Sequence, residues 1–412
     1  MSKIIYRIGI FFYSASIWVA SLFNTKAQLF IEGRKNQWEG LSAFRKKCPN
    51  DKVLWMHCAS LGEFEQGRPI IETVKKQHPD IKVALTFFSP SGYEVRKDYS
   101  YADWVGYLPL DTAQNAEKFL DYLRPTLGII VKYEIWVQHL TVAYRRQIPV
   151  YLIGAVFRPG QLFFSIFGGL FRNALRHFEH IFVQDKASSE LLSSIKISNV
   201  TIAGDPRIDS VIARKNTYPT LAKVKEFLSG KPTFIIGSSW MKDMVILQRP
   251  LEQLIGLGWK IIIAPHDISK RNIEAHAHLF PDKTVKYSAL SASNPDVPIL
   301  IIDNIGMLSA LYQYGKIAYI GGGFGEGIHS TLEPAAFHLP LIFGPKYQKF
   351  IEAVYFVQHK GAFSVQSEAD VSNAIQYMLD DENHRQMSEV IREFMEQNQG
   401  STALVVSELE LE

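Results

Sequence analysis

Across residues 53–203, short apolar or β-branched runs alternate with amphipathic stretches, the pattern of a mostly parallel sheet covered by helices. The runs fall at 53–58, 83–87, 104–107, 127–132, 150–154, 180–183 and 200–203 and predict one Rossmann-like unit. The pattern returns at 233–236, 260–264, 299–302, 317–320, 341–343 and 362–365, predicting a second. Between them 204–216, followed by Tyr218 and Pro219, is polar and proline-punctuated and reads as a linker. From Val371 onward the pattern is helical, suited to packing back across the first unit.

Residues 4–23 break this alternation, being apolar apart from Tyr6, Arg7, Tyr13 and small residues. As a helix rising about 1.5 Å per residue the segment reaches roughly 30 Å, enough to span a bilayer. Arg7 near one end, with the Trp and Phe content, suits an interfacial position equally well. A cleaved signal peptide or a helix buried on the body are the remaining alternatives. If the segment spans, Lys26, Arg34, Lys35, Arg45, Lys46 and Lys47 outnumber Lys3 and Arg7, which puts the body in the cytoplasm.

A chain of 412 residues exceeds one typical core, in keeping with two domains. With 47% hydrophobic and 21% charged residues it reads as ordered and globular. A net charge of +3 gives no global argument for nucleic acid, although Arg45, Lys46, Lys47 and Arg34, Lys35 form local clusters suited to acidic lipids. Cys48 and Cys58 are the only cysteines, which excludes a disulfide framework or an all-cysteine metal site and fits a reducing compartment. Cys58 reads as a small buried hydrophobe near a strand end, and Cys48 as an incidental loop residue.

Candidate chemistry gathers where strands end. The run 320–345 passes from a strand through Gly321, Gly322, Gly323, Gly325 and Gly327 into a helix, so that backbone approaches a ligand closely and unpaired N–H groups face an anion. Its spacing matches neither the lysine-bearing phosphate loop nor the dinucleotide fingerprint. Ser330 and Glu333 have capping-box spacing. Earlier, 55–66 leads a strand through Ala59, Ser60, Leu61 and Gly62 to a helix starting near Glu63. A carboxylate at that tip suits a general base, and Gly62 leaves room for an acceptor; an ordinary acidic residue in a first helical turn is the alternative. Glu65 reads as solvated, and Pro69 implies a kink or a later start. Gly237, Ser238 and Ser239 follow a strand and offer hydroxyls and N–H groups to a phosphate or carboxylate, or else form a plain turn and cap. Phe163, Phe164, Phe167, Phe171 and Phe178, among Arg158, Arg172 and Arg176, suit acyl chains and lipid phosphates, or else a core.

Several of these motifs together resemble one family. The apolar N-terminus, Ala59-Ser60-Leu61-Gly62-Glu63, Ser89-Pro90-Ser91-Gly92, Tyr107-Leu108-Pro109-Leu110-Asp111, Glu134-Ile135-Trp136, Leu332-Glu333-Pro334 and Gly344-Pro345 are similar to the 3-deoxy-D-manno-octulosonic acid (Kdo) transferases of lipopolysaccharide synthesis. The resemblance implies an α/β GT-B glycosyltransferase with two Rossmann-like domains facing a cleft. An N-terminal membrane-associated helix (1–25) would precede an acceptor domain (26–207) and a donor domain (208–412), whose C-terminal helix packs back on the first.

By the same resemblance Glu63 is the base that deprotonates the acceptor hydroxyl, and Ser60, Gly62, Ser89, Ser91, Gly92 and Glu134 are acceptor contacts. Donor contacts map to Gly237, Ser238, Ser239, Pro265, His266, Gly322, Gly323, His329 and Ser330. Ile305, Gly306 and Met307 would meet the cytosine and Glu333 the ribose. Lys346 and Lys349, on the same rim, suit donor anions or else are solvated surface lysines. Two departures stand out: the family commonly has Pro-Arg-His where this chain has Pro265-His266, and His-Asn where it has His329-Ser330. The implied reaction is metal- and cofactor-independent inverting transfer from CMP-Kdo to the lipid A precursor. It would occur at the cytoplasmic side of a Gram-negative inner membrane, with no nucleic acid partner. His57, His266 and His329 lack metal-ligand spacing. Rival readings are a UDP-sugar GT-B enzyme, MurG-like or a UDP-GlcNAc epimerase, and a catalytically silent membrane-bound scaffold.

Overall fold

The computed structural model describes residues 2–132, 134–291 and 296–411. Residues 1 and 412, which end the expected segments, and the side chain of Lys3 lie outside that description. Two compact units divide the chain, one of Met1–Asp209 with Gln399–Glu412 and the other of Ser210–Asn398.

The first unit holds β1 (Val53–Cys58), β2 (Lys82–Phe87), β3 (Trp104–Tyr107), β4 (Leu127–Val131), β5 (Val150–Ala155), β6 (His180–Val183) and β7 (Val200–Ile202). They pair in parallel in the order β3-β2-β1-β4-β5-β6-β7. Every residue of β1, β4 and β5 is buried, because helices cover both faces of a parallel sheet. Alternation along β1 sends Val53 and Trp55 into one core and Leu54, Met56 and Cys58 into the other.

The second unit holds β8 (Thr233–Ser239), β9 (Lys260–Pro265), β10 (Thr284–Lys286), β11 (Ile299–Ile301), β12 (Ile317–Ile320), β13 (Leu341–Phe343) and β14 (Ala362–Ser364). All are parallel, in the order β10-β11-β9-β8-β12-β13-β14. The sequence pattern does not mark β10, a three-residue edge strand with one buried position whose identity depends on pairing with β11.

Four expectations change. The polar stretch taken as a linker is largely a helix, Pro206–Lys215; proline suits its first turn, and Ile208 and Val211 bury one side. Helices Glu368–Leu379 and Asp381–Gln397 pack within the second unit, the former on Met241–Gly256, while only the last turns, around Ser401–Ser407, join the first unit against helix Leu61–Gln77. Helix Leu61–Gln77 continues past Pro69 as one element and starts at Leu61 rather than later. Cys48 is no incidental loop residue: it is buried, and its thiol donates to the Phe44 carbonyl at 3.2 Å.

The N-terminal helix Ser2–Ala20 lies along the first unit by one stripe. Positions 6, 10, 14 and 17 are half-buried, whereas Ile4, Ile5, Ile8, Phe11, Phe12, Trp18 and Val19 are exposed. Among the described residues no single helix is long and apolar enough to cross a membrane; the pair Ile4–Ala20 and Thr25–Glu32, bent by 120°, passes that test together.

Candidate active site

Parallel sheets bind ligands beyond the carboxyl ends of their strands, where strand order reverses. In the first sheet the reversal lies between β1 and β4. The chain leaving β1 carries Ser60, Gly62 and Glu63, and the chain leaving β4 carries Lys132 and Glu134. Ser60 is the N-cap of helix Leu61–Gln77, and its N–H donates to Glu63 Oε2 at 2.9 Å. This capping arrangement fixes the carboxylate at the positive end of the helix.

Glu63 is only 8% exposed, and burial pushes its carboxyl above the ordinary value, opposed by the nearby Lys132 charge and by the Ser60 and Ala59 N–H groups. Glu134 is pushed up to about 8, first by burial and then by the Glu63 charge. Burial and the neighbouring Glu63 charge thus keep the proton on Glu134 at neutral pH. Lys132, which the sequence reading passed over as a strand residue, sits at φ +63°, a left-handed conformation strained for a side chain of its kind. No residue pattern announces that angle; it follows from the turn the chain makes as it leaves the sheet.

The other acceptor candidates divide by role. Ser89 caps helix Pro90–Arg96, its Oγ accepting from the Ser91 N–H at 3.3 Å and lying 3.0 Å from the Ser91 hydroxyl. Gly92 is buried, and a Cβ there would come within 2.2 Å of the Phe87 ring, so its glycine serves packing. At Gly62 the nearest atom to an added Cβ is 4.0 Å away, leaving space for a ligand. Glu65 is not simply solvated, since Arg68 and Arg96 each reach it at 3.1 Å.

Of the five phenylalanines, Phe163 and Phe178 are buried and Phe164 and Phe171 pack on the core; Phe167 alone is exposed, beside exposed Leu162 and Ile166. Arg172 donates to the Phe163 and Ser165 carbonyls. Arg34 and Arg45 are likewise no lipid-facing surface charges. Arg34 is packed against the rings of Phe30, Phe88 and Tyr107, and Arg45 donates to the Cys48 and Asp51 carbonyls.

In the second sheet the reversal lies between β8 and β12. Gly237, Ser238 and Ser239 end β8 rather than follow it, with a bulge at Ser238, which is held at φ +52°. Ser239 is buried and its hydroxyl lies 3.1 Å from His276 Nε2, directed into the protein; Ser238 is the partly exposed hydroxyl of the two. β12 leads into the glycine run, where Gly321 and Gly323 tolerate no side chain. An added Cβ would meet the Ser238 carbonyl oxygen at 2.2 Å and the Gly344 backbone at 2.5 Å respectively.

A cavity of about 810 Å³ opens here, lined by Trp240, His266, Gly322, Phe324, His329 and Lys349 among others. Trp240 stacks on His266 at 4.4 Å and His266 on His329 at 4.5 Å, while Trp240 Nε1 donates to His329 Nε2 at 3.2 Å. Burial, then the neighbouring His266, push His329 down to about 4, so it is a neutral acceptor at neutral pH. Pro265 ends β9 beside this ladder.

The expected capping box at Ser330 and Glu333 does not form. The short helix starts at Leu332 with Thr331 as N-cap, and Glu333 Oε1 instead accepts from the Ser309 hydroxyl at 2.8 Å. That bond ties Glu333 to the segment following Ile305, Gly306 and Met307, where Ile305 is 85% exposed and Gly306 sits at φ +93°. Lys346 Nζ donates to the Gly325 carbonyl at 2.6 Å and so braces the loop.

Asp243 is a residue that sequence reading missed. Fully buried, it accepts from the Trp240 N–H at 2.9 Å, the Gly322 N–H at 3.1 Å and the Tyr319 hydroxyl at 3.0 Å. One carboxylate thus joins the start of helix Met241–Gly256 to β12 and the glycine run. An acidic residue in the first turn of a helix, able to reach back to the N–H at the helix start, is the signal that could have revealed it. Among the described residues no group of three or more His, Cys, Asp or Glu is placed to hold a metal.

The model of the family described as 3-deoxy-D-manno-octulosonic-acid transferase (kdotransferase) matches residues 35–210. A 3-deoxy-D-manno-octulosonic acid transferase from Aquifex aeolicus is 27% identical, across 87% of this chain and 95% of that one. One from Rickettsia bellii is 26% identical, across 85% of each. In structure, the UDP-GlcNAc 2-epimerase of Neisseria meningitidis superposes with a TM-score of 0.62 at 16% identity, covering 86% of this chain and 98% of its own, a likeness of fold alone.

Proposed function

We propose, from the premise that this chain belongs to the 3-deoxy-D-manno-octulosonic acid (Kdo) transferase family and has the GT-B fold, that it transfers Kdo from CMP-Kdo to a hydroxyl of the lipid A precursor. The observation that carries the chemistry is Glu63: a buried carboxylate held at a helix N-terminus and at the strand-order reversal, with Gly62 leaving space beside it.

In this reading Glu63 takes the proton of the acceptor hydroxyl as that oxygen attacks the anomeric carbon of Kdo. The bond to the CMP phosphate oxygen breaks, and CMP leaves with both electrons. No metal is called on. N–H groups of the glycine run and the Ser238 hydroxyl stabilise the leaving phosphate. Trp240, His266 and His329 form the wall against the donor sugar, His266 standing where the family commonly has arginine. An imidazole lacks the planar fork of donors that arginine offers, so donor affinity here leans more on backbone groups. Glu333, oriented by Ser309, is the ribose contact.

Purified protein incubated with lipid A precursor and a CMP-Kdo supply should yield Kdo-bearing lipid, and none with UDP-sugars. Product formed only from UDP-sugars would sink this reading.

We also propose that the body stands on the cytoplasmic side of a Gram-negative inner membrane. Helix Ser2–Ala20 would lie in the lipid surface, its open apolar face inward to the lipid. The half-buried stripe along the opposite side of this helix supports lying over spanning. Replacing Phe11 and Phe12 together with Ser should lower binding to anionic vesicles at least tenfold, since burying each ring contributes about 1.5–3 kcal/mol. Cosedimentation measures it, and unchanged binding would remove the helix from the contact.

A further inference from the structure

Two motifs of the family resemblance, Tyr107-Leu108-Pro109-Leu110-Asp111 and Glu134-Ile135-Trp136, meet at a single carboxylate that the chemistry above does not use. Asp111 is 1% exposed. It accepts from the N–H of Gln138 at 3.1 and 3.0 Å, from the N–H of His139 at 3.0 Å, and lies 2.6 Å from His139 Nδ1. Those donors are the start of helix Val137–Arg145, so Asp111 holds the helix N-terminus that follows directly on Glu134 and Trp136.

The remaining donor comes from the apolar N-terminal helix: the Tyr6 hydroxyl reaches Asp111 Oδ2 at 2.5 Å. About two turns further along the same helix face, Tyr13 stacks on Phe88 at 6.1 Å, and Phe88 packs on Trp136 at 4.5 Å. Trp136 in turn meets the ring of His57, on β1, at 5.8 Å. The N-terminal helix is thus joined twice to the 134–139 segment, once by a charged hydrogen bond and once by ring packing, while its other face stays open.

We propose that Tyr6 is a positioning residue for the acceptor half-site: through Asp111 it fixes the segment that carries Glu134, making the apolar helix a working part of that site as well as its attachment to lipid. The inference rests on the reading of Glu63 and Glu134 as the acceptor end. Whatever shifts the helix, including its entry into a lipid surface, shifts the start of helix Val137–Arg145 with it.

Tyr6→Phe removes one hydroxyl. Asp111 keeps its three donor groups from Gln138 and His139, and the open apolar face is untouched, so a folded, vesicle-binding protein is expected. Loss of a hydrogen bond to a charged group should lower kcat/KM for the detergent-dispersed acceptor about tenfold. CMP affinity should stay as in the wild type, because the donor loops belong to the other unit. Amide hydrogen exchange in 134–140 should quicken at least fivefold. Tyr101→Phe, an exposed hydroxyl outside the site, is the matched control.

Unchanged exchange in 134–140, or a kcat/KM within twofold of wild type, would overturn the proposal. So would a variant that melts as a whole at a much lower temperature, since that marks a purely structural tyrosine. If the wild type transfers no Kdo, the proposed function fails, whereas the exchange result still decides whether the helix holds this segment.

Discussion

Glu63→Gln is expected to reduce transfer by about 10²- to 10⁴-fold while leaving nucleotide binding and the fold in place. The amide keeps an oxygen for the Ser60 N–H, now 2.9 Å from Glu63 Oε2, so the start of helix Leu61–Gln77 should hold. What it lacks is a site for the acceptor proton. The same geometry fixes the pH dependence. Glu63 acts only when ionised, and burial raises its carboxyl above the usual value despite the opposing Lys132 charge. As pH falls through that raised value the base is protonated and rate is lost, so the acid limb of kcat/KM should lie above the ordinary glutamate range. Glu134, pushed up to about 8, stays protonated through neutral pH and adds no second negative charge there. A variant retaining more than a tenth of wild-type kcat would remove Glu63 from the role of base. An acid limb at the ordinary glutamate value would show that its burial does not govern the reaction.

Asp243→Ala should be the most damaging single change in the second unit, lowering stability by about 3–5 kcal/mol and, on the proposed function, CMP affinity with it. Removing the carboxylate leaves the Trp240 N–H, the Gly322 N–H and the Tyr319 hydroxyl unpaired in a buried setting, and each such group costs about 1–3 kcal/mol. Some of this returns if the loop opens to water, which is itself the loss of the binding surface. Chemical denaturation and CMP titration test the two halves of the claim. A variant with a wild-type denaturation midpoint and wild-type affinity would show that Asp243 does not organise the glycine run. Asp243→Asn should fall between, since its amide oxygen accepts from fewer of these donors than a carboxylate does.

Much of the molecule is legible in the order of its residues. The period-two and fully apolar runs mark both sheets, because a strand buried on two faces admits few polar residues. Glycines that must let backbone meet backbone, such as Gly321 and Gly323, stand out as a cluster. Glu63 stands out in a first helical turn just after a strand, but an ordinary helix-capping acid fits the same place, and only the family resemblance points to a base. Where the reading fell short, local pattern matched more than one outcome. Ser330 and Glu333 have capping-box spacing, but the turn at Thr331 starts the helix later and hands Glu333 to Ser309. Arg34 and Arg45 look like surface charges by type, and only packing shows them turned inward onto rings and carbonyls.

The sequence by itself determined a two-sheet α/β protein whose strand-end motifs resemble those of the Kdo transferases, because hydrophobic periodicity and such motifs are local properties of the chain. Tertiary structure alone decided which strand tips flank a reversal of strand order, since that depends on pairing between strands distant in sequence: β1 beside β4, and β8 beside β12. From that pairing follow the raised carboxyl of Glu134 near Glu63, the single carboxylate of Asp243 joining β12 to a helix start, and the bond from Tyr6 to Asp111. Burial, charge proximity and hydrogen-bond distance are relations between distant residues, and come into being only once the chain has folded.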